Sequence, residues 1–545
     1  MRIQTTYTKK YMDHWYQTGQ WKDETFLDYL AKATARHPRK VAFVHGERRV
    51  SYEEFSALVK HLAAAFAQSD IGTEDVVSVQ LPNSVELAAT ILALAQTGAV
   101  YNPLNPGYRR HEVGGITSLV EPKAIVCPLE YNNFSYTALH DEVAKARGAE
   151  ILKVCVGEAP AGWTSFEAFA GMGAGALGKA KFARPDPDAV FLLGSTSGTT
   201  GNPKIYIHTA QTQIQEALAL NKLLGVGEDS KFLVMAPMTH RGALMFGFFT
   251  AIAAGATAVL ADAFEPAKVL DIFEKERITH FMAIPTQVVD LLELYEKAPK
   301  DFSALRLAIL SGAPVGEALV GRFSKAWPHC IPVTGYGMSE CGYSTLTVPG
   351  DSKEKLFTSG RPALGMEIQV RGGGDTIQPT GEVGEICIRG PLLFGGYFGN
   401  QKATRDSIDS GGWLHSGDLG FLDQDGYLHP VGRVKHVIIR GGLNIHAEEI
   451  EFLLSQHPAV SLAVVAAVPD ERLGERGCAC LVLRQGVSFD LVELRRFFEQ
   501  KGVAKFQWPE FIEIFSEFPR NPVGKLDRKA IVEEARKRTG KKNTP

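Results

Sequence analysis

Helix-like and strand-like runs alternate through the first two-thirds of the chain, and this alternation restricts the fold more than any other feature of the sequence. Residues 53–68 have the apolar spacing of an amphipathic helix. Residues 76–81 are typical of a strand, and residues 85–96 of a second helix. This order predicts an α/β fold with a large N-terminal domain of mixed sheets and helices.

The pattern changes near Glu367. Short strand-like runs with turn signals follow, as at residues 372–375 and 423–426, and predict a small β-barrel-like subdomain. From near Arg433 the order of elements predicts a separate small α+β domain. Its helices and strands are expected at residues 448–456, 461–468, 479–483 and 492–501.

The composition bears on two classes of partner and on the redox compartment. The 545 residues carry a formal net charge of −3, which gives no electrostatic reason to expect nucleic acid or an anionic membrane as a partner. The seven cysteines are scattered without the spacing of a disulfide framework or a metal site. This usage favours a reducing compartment.

One segment has the length of a membrane span. Residues 242–261 carry no charge over a stretch long enough to cross a bilayer. Their glycines and the strand-like residues 256–260 instead predict a buried helix, a turn and a strand. Residues 1–21 lack the apolar core of a signal peptide. We therefore expect a cytoplasmic protein without a membrane span.

The segment Thr196–Lys204 reads Thr-Ser-Gly-Thr-Thr-Gly-Asn-Pro-Lys and follows a strand-like run at residues 189–193. Its glycines let backbone N–H groups converge, its hydroxyl groups add donors, and its terminal lysine adds a positive charge. This combination predicts a site for a polyphosphate at the carboxyl end of a strand. A loop exposed to solvent is the alternative. The candidate phosphate-binding residues are Thr196, Ser197, Gly198, Thr199, Thr200, Gly201 and Lys204.

Two familiar loop classes do not match this segment. The common nucleotide-binding loop places its lysine directly after a glycine, whereas Asn202 and Pro203 separate Gly201 from Lys204. The nucleophile elbow of hydrolases needs a serine where Thr196 stands.

Two more segments combine groups that suit a nucleotide. In the run 335–340, Tyr336 offers a stacking face and Glu340 a carboxylate able to hold Mg²⁺. Gly312 and Ala313 follow the strand-like residues 307–310, again at the carboxyl edge of a sheet. Taken alone, the run 335–340 is equally compatible with an ordinary turn, and for the segment of Gly312 and Ala313 an ordinary turn is the favoured interpretation.

Three charged residues complete the set. Asp418 can accept hydrogen bonds from both ribose hydroxyls, and Arg433 offers planar donors to ribose or phosphate. Lys525 lies in a turn near the C-terminus. Individually, each is compatible with an ordinary surface residue.

In this order and spacing, the segments from Trp21 to Lys529 resemble the AMP-forming adenylating superfamily, which comprises acyl-CoA synthetases, peptide-synthetase adenylation domains and luciferases. The resemblance implies a domain of residues 1–432 that binds ATP and the acyl group, and a mobile domain of residues 433–545 with a hinge at Lys435. It implies ATP, Mg²⁺ and coenzyme A as cofactors and a carboxylic acid as substrate. A homodimer is left open.

The same resemblance implies a role for each candidate residue. The Thr196–Lys204 loop would hold the β- and γ-phosphates, Glu340 would ligate Mg²⁺, and Lys525 would lie between the substrate carboxylate and the α-phosphate. Acyl-adenylate and pyrophosphate would form first, and transfer to CoA would follow. The remaining nucleotide- and thiol-binding residues are Gly312, Ala313, Tyr336, Gly337, Met338, Ser339, Asp418, Arg433, Gly441 and Gly442.

Two alternatives share these motifs. One is a stand-alone adenylating enzyme that loads the phosphopantetheine thiol of a carrier protein, and the other is a catalytically silent ATP-binding protein. Intact Glu340 and Lys525 argue against the silent protein.

Within the superfamily, the run 440–446 is most similar to ligases for aromatic, alicyclic and medium-chain acids. His240 matches the residue that closes the acyl pocket, with a buried structural histidine as the alternative. Arg241 is a departure that either pairs with a second polar or anionic group of the substrate or faces away, and we favour the latter. His436, where an acidic residue is usual, leaves the hinge contacts undetermined.

Overall fold

A computed structural model describes residues 3–148, 150–178, 180, 182–196, 203–313, 315–363, 365–440, 443–470, 472–521 and 525–542. The chain packs as two compact units, one of residues 1–367 with 389–414 and one of residues 368–388 with 415–545. Each unit has its own hydrophobic core. The predicted functional boundary between residues 432 and 433 stays a prediction.

Two large sheets form the first unit. The order of the nine-stranded sheet is Arg361–Pro362, Gly342–Leu346, Ile331–Met338, Leu307–Leu310, His280–Ala283, Lys231–Val234, Thr257–Leu260, Val41–His45, Arg48–Ser51. The order of the seven-stranded sheet is Lys204–Thr209, Val190–Thr196, Val100–Pro103, Val76–Val79, Ala124–Pro128, Leu152–Val156, Thr164–Ser165. A further two-stranded ribbon joins Glu130–Tyr131 to Phe134–Ser135.

Helices pack between and beside these sheets, which confirms the predicted α/β class. They are Lys9–Gln17, Phe26–Arg36, Tyr52–Gln68, Val85–Thr97, Arg110–Val120, Tyr136–Arg147, Phe166–Ala176, Ala210–Leu224, Arg241–Ala243, Thr250–Ala254, Pro266–Glu276, Pro285–Tyr295, Glu317–Ala326 and Gln401–Ser407. Short 3₁₀ and π turns cover Leu244–Phe249 and Lys353–Phe357.

Local sequence signals set the ends of the predicted helices. The Ser51 hydroxyl accepts a hydrogen bond from the backbone N–H of Glu54, and the Glu54 carboxylate accepts one from the backbone N–H of Ser51, so that Tyr52–Gln68 begins with a capping box. Val85–Thr97 begins after the cap Ser84 and ends at Gly98 with φ +76°. The structure confirms both helices within about a residue of the predicted bounds.

The uncharged segment folds as a buried helix, turn and strand, as predicted. A kink at Gly247, with φ +134°, separates the helical turns Arg241–Ala243 and Thr250–Ala254. A Cβ atom at Gly247 would lie 2.7 Å from Val234 Cγ2, so this close turn requires glycine. Within the described ranges, no helix has the length and apolar character needed to cross a membrane.

The second unit contains the predicted small β region and the α+β region. The four-stranded sheet has the order Glu367–Arg371, Gly384–Arg389, Leu414–Leu422, Leu428–Arg433. A five-stranded sheet has the order Leu443–His446, Val437–Arg440, Gly474–Leu483, Val460–Asp470, with Phe511–Phe515 also paired to Gly474–Leu483. The helices are Ala447–Ser455, Leu491–Gln500 and Arg528–Lys542, with 3₁₀ turns at Gly373–Asp375, Val434–His436 and Lys505–Gln507.

Parallel pairing brings the candidate residues of the nine-stranded sheet to one edge. His280–Ala283, Leu307–Leu310 and Ile331–Met338 are parallel neighbours. Their carboxyl ends therefore lie side by side, at the edge where ligands bind in open α/β sheets. Gly312 and Glu340 both follow these ends.

Candidate active site

The predicted phosphate loop connects two antiparallel strands. Val190–Thr196 pairs with Lys204–Thr209, and Thr196 lies opposite Lys204. The strand before the loop is thus confirmed, and the chain re-enters the sheet at the predicted lysine. Ser197, Gly198, Thr199, Thr200 and Gly201 lie outside the described residues.

Glu340 is buried, with 5 % of its surface exposed. Its Oε1 accepts a hydrogen bond of 2.8 Å from the hydroxyl of Tyr397, and Lys204 Nζ lies 4.9 Å from the centroid of the Tyr397 ring. Burial raises the pKa of the Glu340 carboxyl, while the Tyr397 hydrogen bond and then the charge of Lys204 act in the opposite direction. A carboxylate with one oriented oxygen beside a lysine suits Mg²⁺ bound chiefly by phosphates and water.

The predicted adenine-binding segments lie on neighbouring strands. Gly312 follows Leu307–Leu310 in a turn with φ +85°, which favours glycine, and Ala313 comes next. Ser311 and Tyr343 join this turn to the adjacent hairpin, with 3.1 Å between their side-chain oxygens.

The run Tyr336–Glu340 includes the end of strand Ile331–Met338 and the turn that follows it. Gly337 is needed where two backbones meet, because a Cβ atom there would lie 1.9 Å from the carbonyl oxygen of Gly342. Met338 ends the strand, and the carbonyl of Ser339 is 2.7 Å from Nε2 of the buried His208. Close packing therefore fixes the backbone beside Glu340.

His240 lies in the loop after strand Lys231–Val234, directly before the helical turn Arg241–Ala243. The residue is exposed. The alternative of a buried structural histidine is therefore wrong. Its backbone N–H donates to the carbonyl of Pro237 at 2.9 Å, which fixes the turn from which the imidazole projects.

Arg241 is turned into the interior. Its Nη2 lies 2.6 Å from Oε2 of Glu216, and the side chains are 4 % and 2 % exposed. Oε1 of Glu216 accepts a 2.8 Å hydrogen bond from the backbone N–H of Tyr343. Arg241 thus has an anionic partner within the protein, and that partner also holds the hairpin after Glu340.

In the second unit, Asp418 and Arg433 are directly opposite each other on antiparallel strands. Arg433 Nε lies 2.8 Å from Asp418 Oδ1; the Asp418 carboxylate is 11 % exposed and the Arg433 side chain 48 %. The register of the hairpin explains how two residues separated in sequence reach one place.

The predicted hinge lies in the 3₁₀ turn Val434–His436, which contains Lys435. His436, whose contacts the sequence left undetermined, has its Nδ1 2.5 Å from Oε1 of Glu448. The structure thus supplies an acidic partner for the histidine from the helix Ala447–Ser455. Gly441 and Gly442 lie outside the described residues.

Lys525 is exposed, and its backbone is bonded to Asn521. Its N–H donates to Asn521 Oδ1 at 3.0 Å, and its carbonyl accepts from the Asn521 N–H at 2.8 Å. Desolvation by surrounding protein atoms, and secondly the charge of Arg433, lower the pKa of the Lys525 ammonium. The bonds to Asn521 thus hold the Lys525 backbone, while the residue keeps access to solvent.

Comparison with known proteins places the chain in a family. A model described as AMP-binding enzyme matches residues 30–398, and one described as AMP-binding enzyme C-terminal domain matches residues 449–525. The chain belongs to the AMP-binding enzyme family. It is an AMP-forming ligase of the adenylate-forming group, and enzymes of this family use ATP, typically with Mg²⁺.

Similar proteins include two kinds of ligase. The chain is 32% identical over 536 residues to pyochelin synthase PchD of Pseudomonas aeruginosa, covering 97% of this chain and 95% of that protein. It is 32% identical over 540 residues to medium-chain fatty-acid–CoA ligase of Escherichia coli, covering 97% and 93%. Among solved structures, o-succinylbenzoate CoA synthetase of Bacillus subtilis with its acyl-adenylate is similar, with TM-score 0.79, 25% identity and coverage of 93% and 98%.

Sequence reasoning missed two side chains at this site of the AMP-binding enzyme. Tyr397 is 57 positions from Glu340, and Glu216 lies 127 positions from Tyr343. The only local signal for Tyr397 is its place after Gly395-Gly396, and Glu216 stands in the helix Ala210–Leu224 without any special spacing. Both contacts depend on how distant parts of the chain pack together, which local sequence patterns do not determine.

Proposed function

We propose that this AMP-binding enzyme activates a carboxylic acid with ATP, forming acyl-AMP and pyrophosphate, and then transfers the acyl group to CoA, forming acyl-CoA and AMP. The observation that supports this most is the buried Glu340 carboxylate, oriented by Tyr397 beside Lys204 at the end of the phosphate loop. A buried carboxylate next to a lysine at a strand's carboxyl edge suits a metal–polyphosphate better than a neutral ligand.

The first unit would bind the nucleotide and the acid. The loop Thr196–Lys204 would hold the β- and γ-phosphates, and Gly312, Ala313 and residues 336–339 would surround adenine and the α-phosphate. Mg²⁺, when bound, would neutralise phosphate charge, and Glu340 is the residue that would hold it. The exposed His240 would lie at the mouth of the acyl pocket.

The second unit would contribute the ribose contacts and the catalytic lysine. Asp418 would accept hydrogen bonds from the ribose hydroxyls, and the nearby Arg433 would donate to ribose or phosphate. Lys525 would bridge the attacking carboxylate and the α-phosphate. Since both groups are anionic, a cation between them stabilises the transition state more than the separated reactants.

Thiol transfer would follow a rotation of residues 433–545 about Lys435. The rotation would withdraw Lys525 and bring Gly441 and Gly442 to a channel for the pantetheine arm, where a side chain would obstruct passage. CoA is our preferred acceptor, because the run 440–446 resembles that of CoA ligases. The 32% identity to pyochelin synthase PchD supports a second candidate, transfer to a carrier protein.

The test is pyrophosphate release with a panel of aromatic, alicyclic and medium-chain acids, measured with CoA, with a phosphopantetheinylated carrier protein and without thiol. We expect release with at least one acid, followed by acyl-CoA formation. Thioester formed only on the carrier protein would exclude the CoA ligase in favour of the second candidate. No release with any acid would contradict both candidates.

A further inference from the structure

The first 21 residues contain an aromatic cluster that precedes the matched family model at residue 30. We call residues 3–21 the N-terminal arm. Tyr7 stacks on Tyr11 at 5.1 Å between ring centroids, and Trp21 lies edge-on to both at 5.6 and 5.8 Å. Trp21 is 2 % exposed, so the arm is packed firmly into the first unit.

The arm covers one side of the irregular segment of residues 390–398. Several carbonyl groups of this 390–398 segment accept no hydrogen bond from a strand or a helix. A buried carbonyl group needs a hydrogen-bond donor. Side chains of the arm supply donors: the Tyr11 hydroxyl to Gly390 O at 2.6 Å, Trp21 Nε1 to Pro391 O at 3.1 Å, and the Tyr7 hydroxyl to Leu393 O. The backbone N–H of Thr6 donates to Gly395 O at 2.9 Å.

The other side of the 390–398 segment is bonded to the site. The N–H of Phe394 donates to the carbonyl of Glu340 at 2.7 Å, and the N–H groups of Gly395 and Phe398 donate to Ile207 and Ile205, both at 2.7 Å. The Tyr397 hydroxyl then reaches Glu340 Oε1. The segment is thus held between the arm and the strand that begins at Lys204.

Glycines make this close approach feasible. A Cβ atom at Gly395 would lie 2.8 Å from Thr5 Cγ2, and one at Gly396, where φ is +101°, would lie 3.1 Å from Thr6 Cγ2. The lack of a side chain at Gly395 and Gly396 therefore leaves room for the methyl groups of Thr5 and Thr6.

We propose that the N-terminal arm is a positioning element for metal–nucleotide binding: it fixes the 390–398 segment so that Tyr397 orients the Glu340 carboxylate. Tyr397 is a positioning residue that acts through Glu340, and the arm acts through Tyr397. The inference rests on the proposed function, because it takes Glu340 as the residue that holds Mg²⁺.

The experiment measures binding of Mn²⁺ with ATP to the full chain by electron paramagnetic resonance, and thermal unfolding of each variant. Tyr397→Phe removes the hydroxyl that reaches Glu340, and Tyr11→Phe removes the hydroxyl that donates to the carbonyl of Gly390. Tyr16→Phe is the matched control, because the Tyr16 hydroxyl of the same arm bonds to Asp188 and Gln211 instead. Each change deletes one oxygen, and folding is verified by the unfolding midpoint.

We expect Tyr397→Phe to weaken Mn²⁺–ATP binding about tenfold and Tyr11→Phe about threefold, with Tyr16→Phe unchanged. The double variant Tyr11→Phe/Tyr397→Phe should bind no more weakly than Tyr397→Phe, because the arm acts through Tyr397. Two results would overturn the proposal. One is that Tyr11→Phe weakens Mn²⁺–ATP binding by the same factor in the wild type and in Tyr397→Phe. The other is that Tyr11→Phe weakens this binding no more than Tyr16→Phe does.

Failure of the proposed function gives a different result. If Glu340→Gln loses Mn²⁺–ATP while Tyr397→Phe and Tyr11→Phe bind like wild type, the arm inference is wrong and the proposed function is untouched. If binding depends on Glu340, Tyr397 and Tyr11 as expected but no acid releases pyrophosphate, the arm inference stands and the proposed reaction is wrong.

Discussion

Four charged residues of the two units differ in exposure, although His240 of the first unit is exposed and Asp418 of the second is largely buried. In the first unit, Glu340 is buried and bonded to Tyr397, and Arg241 is buried against Glu216. In the second unit, Arg433 is about half exposed and Lys525 is also exposed. A buried charge is oriented before the ligand arrives but stabilises the fold only while its partner is present. An exposed cation can change its contacts during a reaction cycle at little cost in stability.

The largest effect on stability is expected when the buried Arg241–Glu216 pair of the first unit is broken. Arg241→Ala leaves Glu216 buried without its cation, and we expect the free energy of unfolding to fall by about 3–5 kcal/mol. The double variant Arg241→Leu/Glu216→Leu should recover most of this loss, because it removes both charges. Chemical denaturation measures these differences, and a loss below about 1 kcal/mol for Arg241→Ala would show that the pair is not structural.

Lys525→Ala tests the exposed cation. We expect pyrophosphate release to fall by about 10²–10³-fold, in the range found when one group that stabilises transition-state charge is removed. The unfolding midpoint should change little, because the bonds to Asn521 come from the Lys525 backbone, which the substitution keeps. Lys529→Ala is the control, a nearby lysine outside the proposed chemistry. Normal adenylation by Lys525→Ala would show that another group bridges the reactants.

A buried histidine of the first unit predicts how stability depends on pH. Burial lowers the pKa of His140 to about 4, and its Nε2 is 2.8 Å from Gln80 Oε1. Between this value and the ordinary pKa the unfolded chain binds a proton that the folded chain does not, so stability falls as pH falls from about 6.5 to 4. The contribution is about 3 kcal/mol. His140→Gln should reduce this slope in denaturation curves, and an unchanged slope would contradict the assignment.

The smallest expected effect belongs to the exposed pair of the second unit. Arg433→Ala should lower the free energy of unfolding by less than about 1 kcal/mol, because its side chain is 48 % exposed and screened by solvent. The same variant should still raise KM for ATP if Arg433 contacts the nucleotide. If Arg433→Ala lost as much stability as Arg241→Ala, the proposed difference between the exposed pair and the buried pair would be wrong.

The fold was largely predictable because its signals are local. Caps at Ser51 and Ser84, and the glycine pattern of residues 242–261, determine where elements begin and end. The run ending at Glu340 could also be predicted, since its residue types suggest nucleotide chemistry. The hydrogen-bond partner of the Glu340 carboxylate could not be predicted, because Tyr397 reaches it only through the pairing of distant segments.

For Arg241, the sequence favours a side chain that faces away from the substrate, and the structure turns it into the interior. Its partner could not be predicted, because Glu216 lies on a helix 25 positions earlier in the chain and meets Arg241 only through packing. The phosphate loop itself, residues 197–202, lies outside the described part of the structure, so its role stays a prediction.

Exchange of labelled pyrophosphate into ATP tests the proposed activation step most directly. With a suitable acid and Mg²⁺ but no CoA, we predict exchange that requires the acid and disappears in Glu340→Gln and Lys525→Ala. Such exchange means that acyl-AMP forms reversibly before any thiol enters. Exchange that requires CoA, or consumption of ATP that yields ADP and phosphate, would contradict the account.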